Sequence, residues 1–158
     1  MGVVIGSVVP RHISKDEAKS YVGGFTVIHD VSARDWQLER NGGQWLLGKA
    51  GDGYAPIGPV IVTTDELSVE QAQNTGIRCR VNGETLQDSN TNQLVHKVQD
   101  VIAFVSQFMT LYPGDVVCAN SLGLARCSSH LTSNGMDCAA AYITAFPLYI
   151  LLRCFVCF

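Results

Sequence analysis

The chain has 158 residues, which is enough for one globular domain with its own hydrophobic core. Its 47% hydrophobic and 16% charged content exclude an intrinsically disordered protein. A formal net charge of -3 argues against a surface that binds nucleic acid or anionic lipid, so nucleic acid is not expected as a partner.

The chain opens with a predicted strand followed by a helix. The apolar run Val3–Ile5 is typical of a short buried strand. Ser14 and Glu17 then form a capping box, in which each side chain accepts a hydrogen bond from the other residue's amide. The adjacent glycines Gly23 and Gly24 are expected to end this helix.

Two further strands are predicted on either side of a loop. Phe25–Val31 is rich in β-branched and aromatic residues, which favours a strand with Asp30 near its C-terminal end. The glycine-rich stretch Arg40–Gly53 is expected to be a loop, and Pro59–Thr63 the next strand.

The second half begins with a predicted hairpin. Apolar residues alternate along Ile77–Val81, and Asn82-Gly83 is the strongest two-residue turn signal before the return strand Glu84–Gln87. Apolar residues recur with helical spacing over Val95–Met109, although the first turn of that stretch is compatible with extended chain. A last short strand is predicted at Val116–Cys118.

Polar residues after the second predicted strand are candidates for chemistry. A carboxylate at Asp30 with Arg34 and Gln37 nearby can hold a divalent cation and orient an oxygen-rich ligand. Lys49, in a glycine-rich loop, can neutralise an enolate or a substrate carboxylate. Spacing alone favours simpler interpretations: a turn carboxylate paired with Arg34, and a solvated surface lysine.

Several sequence blocks carry a resemblance to a known family. They are Gly24–Gln37, Gln44–Lys49, Asp52–Pro59, Val81–Glu84 with Gln87, and Leu111–Val116. In order and spacing they resemble the fumarylacetoacetate hydrolase family, and most closely the animal fumarylacetoacetate hydrolase domain-containing proteins. The resemblance covers approximately residues 3–117.

The resemblance implies a fold and a class of reaction. The fold is α+β, a mostly-β mixed roll of the fumarylacetoacetase C-terminal type with a few helices, usually in a homodimer. The family binds Mg²⁺ or Mn²⁺ through three carboxylates and acts on small oxo-acids, namely acylpyruvates, β-diketo acids or oxaloacetate. The reactions it implies are hydrolysis, decarboxylation or tautomerisation through a metal-stabilised enolate.

The resemblance also assigns roles to particular residues. Asp30 corresponds to a metal ligand, Lys49 and Gln37 to catalytic residues, and Arg34, Gln37 and Lys49 to residues that hold the substrate. The family's E-x-E ligand pair and its His–Glu acid–base pair have no counterpart in this sequence. We therefore expect weak cation binding and impaired catalysis. A non-catalytic fold remnant, or a dimerisation partner of a full-length family member, is the alternative.

The two ends of the chain depart from the family pattern. We expect an incomplete domain over residues 1–118, truncated at both ends, and a divergent, hydrophobic and Cys-rich tail over residues 119–158. The stretch Ala139–Phe158 approaches the roughly 20 apolar residues that span a bilayer, but Pro147 and Arg153 interrupt it. An aggregation-prone tail is favoured over a membrane anchor. An intracellular location, mitochondrial or cytoplasmic, is expected, and no signal or transit peptide is evident in the sequence.

Overall fold

The computed structural model describes residues 1–40, 42, 44–119 and 141–144 of the chain. Two compact units are distinguished. The first comprises the described residues of Met1–Val27, Gly58–Thr75 and Asn90–Ser121, and the second those of Ile28–Ile57, Gly76–Ser89 and Leu122–Phe158. Neither unit is a continuous segment of the chain.

The described residues form short helices and mostly antiparallel strands. The strands are β1 (Gly2–Ile5), β2 (Val22–Thr26), β3 (Val62–Thr63), β4 (Gly76–Val81), β5 (Glu84–Asn90), β6 (Val116–Cys118) and β7 (Ala141–Thr144). The α-helices are α1 (Lys15–Ala18), α2 (Arg34–Leu38), α3 (Val69–Ala72) and α4 (Val98–Ser106), and 3₁₀ turns lie at Lys19–Tyr21, Leu46–Gly48 and Thr91–Gln93.

The sheet of the first unit has the strand order β3-β2-β1-β6. All four residues of β1 are buried, which confirms the strand predicted at Val3–Ile5. Val3 lies opposite Phe25 of β2 on one side and Val117 of β6 on the other, both in antiparallel register. Phe25 of β2 and Ile102 of α4 are both completely buried, so the core of this unit is built from strands and from helix.

The capping box predicted for α1 is present. The Ser14 backbone N–H donates to Glu17 Oε2 over 2.9 Å, and the Glu17 N–H donates to Ser14 Oγ over 3.3 Å. The hydrogen bonds from Ser14 lower the pKa of the exposed Glu17 carboxyl, because they favour its charged form. The start of the helix is therefore a local property that the sequence alone determines.

The prediction that Gly23 and Gly24 end this helix is wrong, because both lie inside β2. They are required there by close backbone approach. A Cβ on Gly23 would lie 2.7 Å from Gly6 Cα, and one on Gly24 would lie 2.5 Å from the Val62 carbonyl oxygen. Strand β2 consequently begins before the predicted Phe25 and ends at Thr26, not Val31.

Beyond Thr26 the chain continues as irregular extended structure. Ile28 and Ile57 form an isolated antiparallel bridge, and the His29 N–H donates to the Pro56 carbonyl over 3.1 Å. The strand predicted at Pro59–Thr63 is shorter than expected, because only Val62–Thr63 pairs with β2. Asp30 accordingly lies in a loop and not at the end of a regular strand.

The sheet of the second unit has the order β5-β4-β7 and contains the predicted hairpin. Asn82 (φ 51°) and Gly83 (φ 87°) both have positive φ, as a two-residue type I′ turn requires. Strand β7 lies within the predicted tail and pairs antiparallel with β4, with Cys79 opposite Ile143. The other residues beyond 119 lie outside the described part of the chain.

Helix α4 is shorter than the periodic stretch Val95–Met109 predicts. Val95 is 70% exposed and precedes the helix, while Phe108 and Met109 follow it and are also exposed. In the described part of the chain no helix is long and apolar enough to cross a membrane. Apart from β7, the segment Ala139–Phe158, considered as a possible anchor, lies outside that part.

Candidate active site

The four predicted site residues all belong to the second unit, where an ion pair joins two of them. Lys49 follows the 3₁₀ turn Leu46–Gly48, and its Nζ donates to Asp30 Oδ2 over 2.6 Å and to Ser32 Oγ over 2.7 Å. Ser32 Oγ in turn donates to the Asp30 carbonyl oxygen over 3.3 Å. Two oxygens of the loop before α2 therefore hold the Lys49 ammonium, one from the Asp30 carboxylate and one from the Ser32 hydroxyl.

This ion pair is partly shielded from water. The exposed fractions of the Lys49 and Asp30 side chains are 26% and 23%. A charge-assisted hydrogen bond in such surroundings is stronger than the same contact on an open surface. Lys49 is therefore not the solvated surface lysine that its spacing favours.

Arg34 and Gln37 form a second polar contact, one turn apart on α2. Arg34 Nη1 donates to Gln37 Oε1, and the Gln37 side chain is completely buried. Gln37 Nε2 has no hydrogen-bond partner among the described residues. A buried donor without a partner costs free energy in the folded state, so this amide is a natural position for a ligand oxygen.

Two other polar residues of this region have different surroundings. Asp35 is partly exposed and pairs with Arg40. His29 is buried, and neither ring nitrogen has a partner within the described residues. Burial lowers the pKa of His29, and the nearby charge of Asp30 opposes this only in part, so the imidazole is neutral at physiological pH.

The described residues do not supply a complete site for a divalent cation. Within them no three His, Cys, Asp or Glu side chains lie close enough to share a metal. Mg²⁺ and Mn²⁺ take about six oxygen ligands, and Mg²⁺ gives up its water reluctantly. Among the described residues, the Lys49 ammonium lies beside the Asp30 carboxylate. Asp30 thus fits the role of one ligand but not of a whole metal site.

Two residues of the site were missed by the sequence-based assignment. Ser32 lies in the family block Gly24–Gln37 without an assigned role, yet its hydroxyl contacts Lys49. Gly48 was included in a family block without a role, yet its carbonyl accepts the Ala33 N–H over 2.9 Å. The serine two residues after Asp30 was a visible signal, whereas the glycine contact depends on tertiary structure.

The family described as fumarylacetoacetate (FAA) hydrolase C-terminal matches residues 1–135. The chain belongs to the fumarylacetoacetate hydrolase family. The family predicted from the sequence blocks is thereby confirmed.

A human relative is similar over about three quarters of this chain. Oxaloacetate tautomerase FAHD2A, mitochondrial, from Homo sapiens is 57% identical over 117 residues, which cover 74% of this chain and 36% of the human protein. The chain therefore spans about a third of the length of the curated relatives it matches.

Two solved structures are similar in fold to this chain. The 5-carboxymethyl-2-hydroxymuconate delta-isomerase from Mycobacterium smegmatis has a TM-score of 0.78 and 32% identity, covering 95% of this chain and 54% of the isomerase. The fumarylpyruvate hydrolase from Pseudomonas aeruginosa, in complex with Mn²⁺ and pyruvate, has a TM-score of 0.75 and 26% identity over 90% of this chain and 57% of the hydrolase. The predicted fold class is confirmed.

Proposed function

We propose that this chain carries the substrate-holding part of an enzyme site for small oxo-acids, with keto–enol tautomerisation of oxaloacetate as the favoured reaction. The observation that carries the proposal is the ion pair of Lys49 with Asp30 beside α2, the helix that bears Arg34 and Gln37. The similarity to a human oxaloacetate tautomerase supports the choice of substrate.

The charges of these residues suit an oxo-acid anion. Arg34 and Lys49 contribute two positive charges against the single negative charge of Asp30, so a carboxylate is attracted to them. When a ketone becomes an enol, a base takes a proton from the α-carbon, negative charge develops on the carbonyl oxygen, and a proton is then added to that oxygen. The resemblance assigns these proton transfers to the family's His–Glu pair. The Lys49 ammonium can donate to that oxygen, and the Gln37 amide can orient a neighbouring one.

Arg34 is expected to determine affinity for the carboxylate. Oxalate is a planar dianion that mimics an enolate, and its binding can be measured by calorimetry. We expect Arg34→Met to weaken oxalate binding by about tenfold or more, because a bidentate guanidinium–carboxylate contact is lost. Arg80→Met is the matched control, since Arg80 donates to Thr85 in the β4–β5 hairpin. Equal weakening in both variants would contradict the proposal.

A divalent cation, Mg²⁺ or Mn²⁺, is proposed to bind only weakly and to depend on Asp30. A single carboxylate provides few of the oxygens that the cation needs, so we expect a dissociation constant of about 1 mM or weaker. Calorimetry with Mn²⁺ measures this, with Asp30→Asn as the variant that removes the ligand charge. Micromolar affinity that persists in Asp30→Asn would show that the cation binds elsewhere.

The location and assembly of the chain belong to the same proposal. We propose a mitochondrial location, because the human relative is described as mitochondrial.

The homodimer stays a prediction. Phe104, Phe108 and Met109, which are more than half exposed, provide an apolar surface that favours association. The same surface supports the second candidate function, non-catalytic pairing with a longer family member.

A further inference from the structure

Gly48 ends the 3₁₀ turn Leu46–Gly48 and lies against Gln37 of α2. Its carbonyl accepts the N–H of Ala33, the residue that precedes α2. The next residue in the chain is Lys49, whose Nζ reaches Asp30 and Ser32. Gly48 itself is buried.

A side chain at position 48 would collide with α2. A Cβ built on Gly48 lies 2.6 Å from Gln37 Cβ, 2.8 Å from Gln37 Cα and 2.8 Å from Gln37 N. These atoms belong to the backbone of Gln37 or are attached to it, so they cannot move away as the end of a flexible side chain can. The φ of Gly48 lies outside the left-handed region. Space, and not backbone conformation, is therefore what requires glycine here.

We propose that Gly48 is a positioning residue that sets the distance between Lys49 and its partners by allowing the 3₁₀ turn to lie directly against Gln37. The Gly48 carbonyl accepts the Ala33 N–H, and the absence of a side chain lets the turn lie against Gln37. Both features hold the turn in the same position. Any outward shift at position 48 is transmitted to Lys49, because the two residues are adjacent. The importance of Gly48 for catalysis rests on the proposed function. Its effect on the position of Lys49 follows from the distances alone.

The reactivity of the Lys49 amine tests the proposal without any assay of turnover. Nζ can attack the acyl carbon of an acylating reagent, and displace its leaving group, only when the amine has left its partners, so Lys49 is expected to react slowly in the parent protein. In Gly48→Ala we expect about a tenfold faster acylation, the factor that corresponds to the loss of roughly one charge-assisted hydrogen bond. Peptide mass spectrometry follows Lys49, with Lys19 and Lys97 of the same molecule as internal references.

Gly76→Ala is the matched control, because a Cβ on Gly76 has no neighbour within 4 Å. Ala33→Pro is a second variant, which removes the N–H donated to Gly48 without adding a side chain at position 48. The φ of Ala33 is -80°, which is already close to the φ of proline. We expect Ala33→Pro to raise Lys49 reactivity and Gly76→Ala to leave it unchanged.

Hydrogen exchange of the amides of β1 in the first unit and of β4 in the second establishes whether each variant is folded. Faster acylation of Lys49 alone, with β1 and β4 still protected, supports the proposal. It is overturned if Lys49 reacts at the parent rate in both Gly48→Ala and Ala33→Pro, or if Lys49 becomes faster only as protection of β1 or β4 is lost. Failure of the parent protein to bind oxalate would instead count against the proposed function. Lys49 reactivity does not depend on oxalate binding, so the two failures are distinguishable.

Discussion

Replacing Phe25 by alanine is expected to lower the free energy of unfolding by about 3–5 kcal/mol. Phe25 is completely buried in β2, and it lies opposite Val3 on one side and Val62 on the other. The substitution removes an aromatic ring from the centre of the first sheet and leaves a cavity that neighbouring strands fill only in part. Urea denaturation measures the change.

Phe104→Ala is the control for this prediction, because it removes the same ring from a surface position. Phe104 is 58% exposed, and its aromatic contact is with Phe108 at a centroid distance of 5.2 Å. Such a pair contributes no more than about 1.5 kcal/mol. A loss at Phe25 no larger than the loss at Phe104 would show that the first unit is not organised around Phe25.

Elements governed by neighbouring residues could be predicted from the sequence. The capping box of Ser14 and Glu17 closes within one helical turn, so the residue types alone determine it. The Asn82-Gly83 turn is equally local, because both residues tolerate positive φ. In these two places the prediction and the structure agree without any information from distant parts of the chain.

The boundaries of β2 could not be predicted in this way. A glycine pair after a helix normally indicates the end of that helix, and this local rule gave the wrong result at Gly23 and Gly24. The structure uses both glycines to bring β2 against the backbone at Gly6 and Val62. These contacts are distant in sequence, so no pattern within the segment itself reveals them.

The contacts within the candidate site could not be predicted from the sequence, and the roles of its residues stay predictions. The family resemblance identified Asp30, Arg34, Gln37 and Lys49 as a group. Their spacing alone favoured a carboxylate paired with Arg34, whereas the structure pairs Asp30 with Lys49 and Arg34 with Gln37. Lys49 lies 19 positions after Asp30 in the chain, and the intervening Gly48 lies against Gln37 of α2. This contact joins residues that are distant in sequence, so no local pattern reveals it.

Replacing Lys49 by methionine is expected to reduce oxaloacetate tautomerisation by about 10²-fold or more, the usual effect of removing one donor to a developing oxyanion. The chain alone is expected to show only background turnover, because the family's acid–base pair has no counterpart in this sequence. Such a pair normally contributes about 10²–10⁴-fold to the rate. The test therefore uses a fusion protein in which the segment that precedes the matched region of the human tautomerase is joined to this chain. The rate is followed as the decay of the ultraviolet absorbance of the enol.

Lys19→Met is the matched control in the same fusion protein. Lys19 pairs with Glu70 over 2.6 Å, the same distance as the Lys49–Asp30 pair, but the two side chains are 42% and 66% exposed and lie in the first unit. An exposed pair contributes little to stability, so this variant is expected to retain the parent rate. Methionine keeps the approximate length of lysine and removes only its charge and its donors. Parent-like turnover in Lys49→Met would therefore exclude the ammonium as the group that stabilises the enolate.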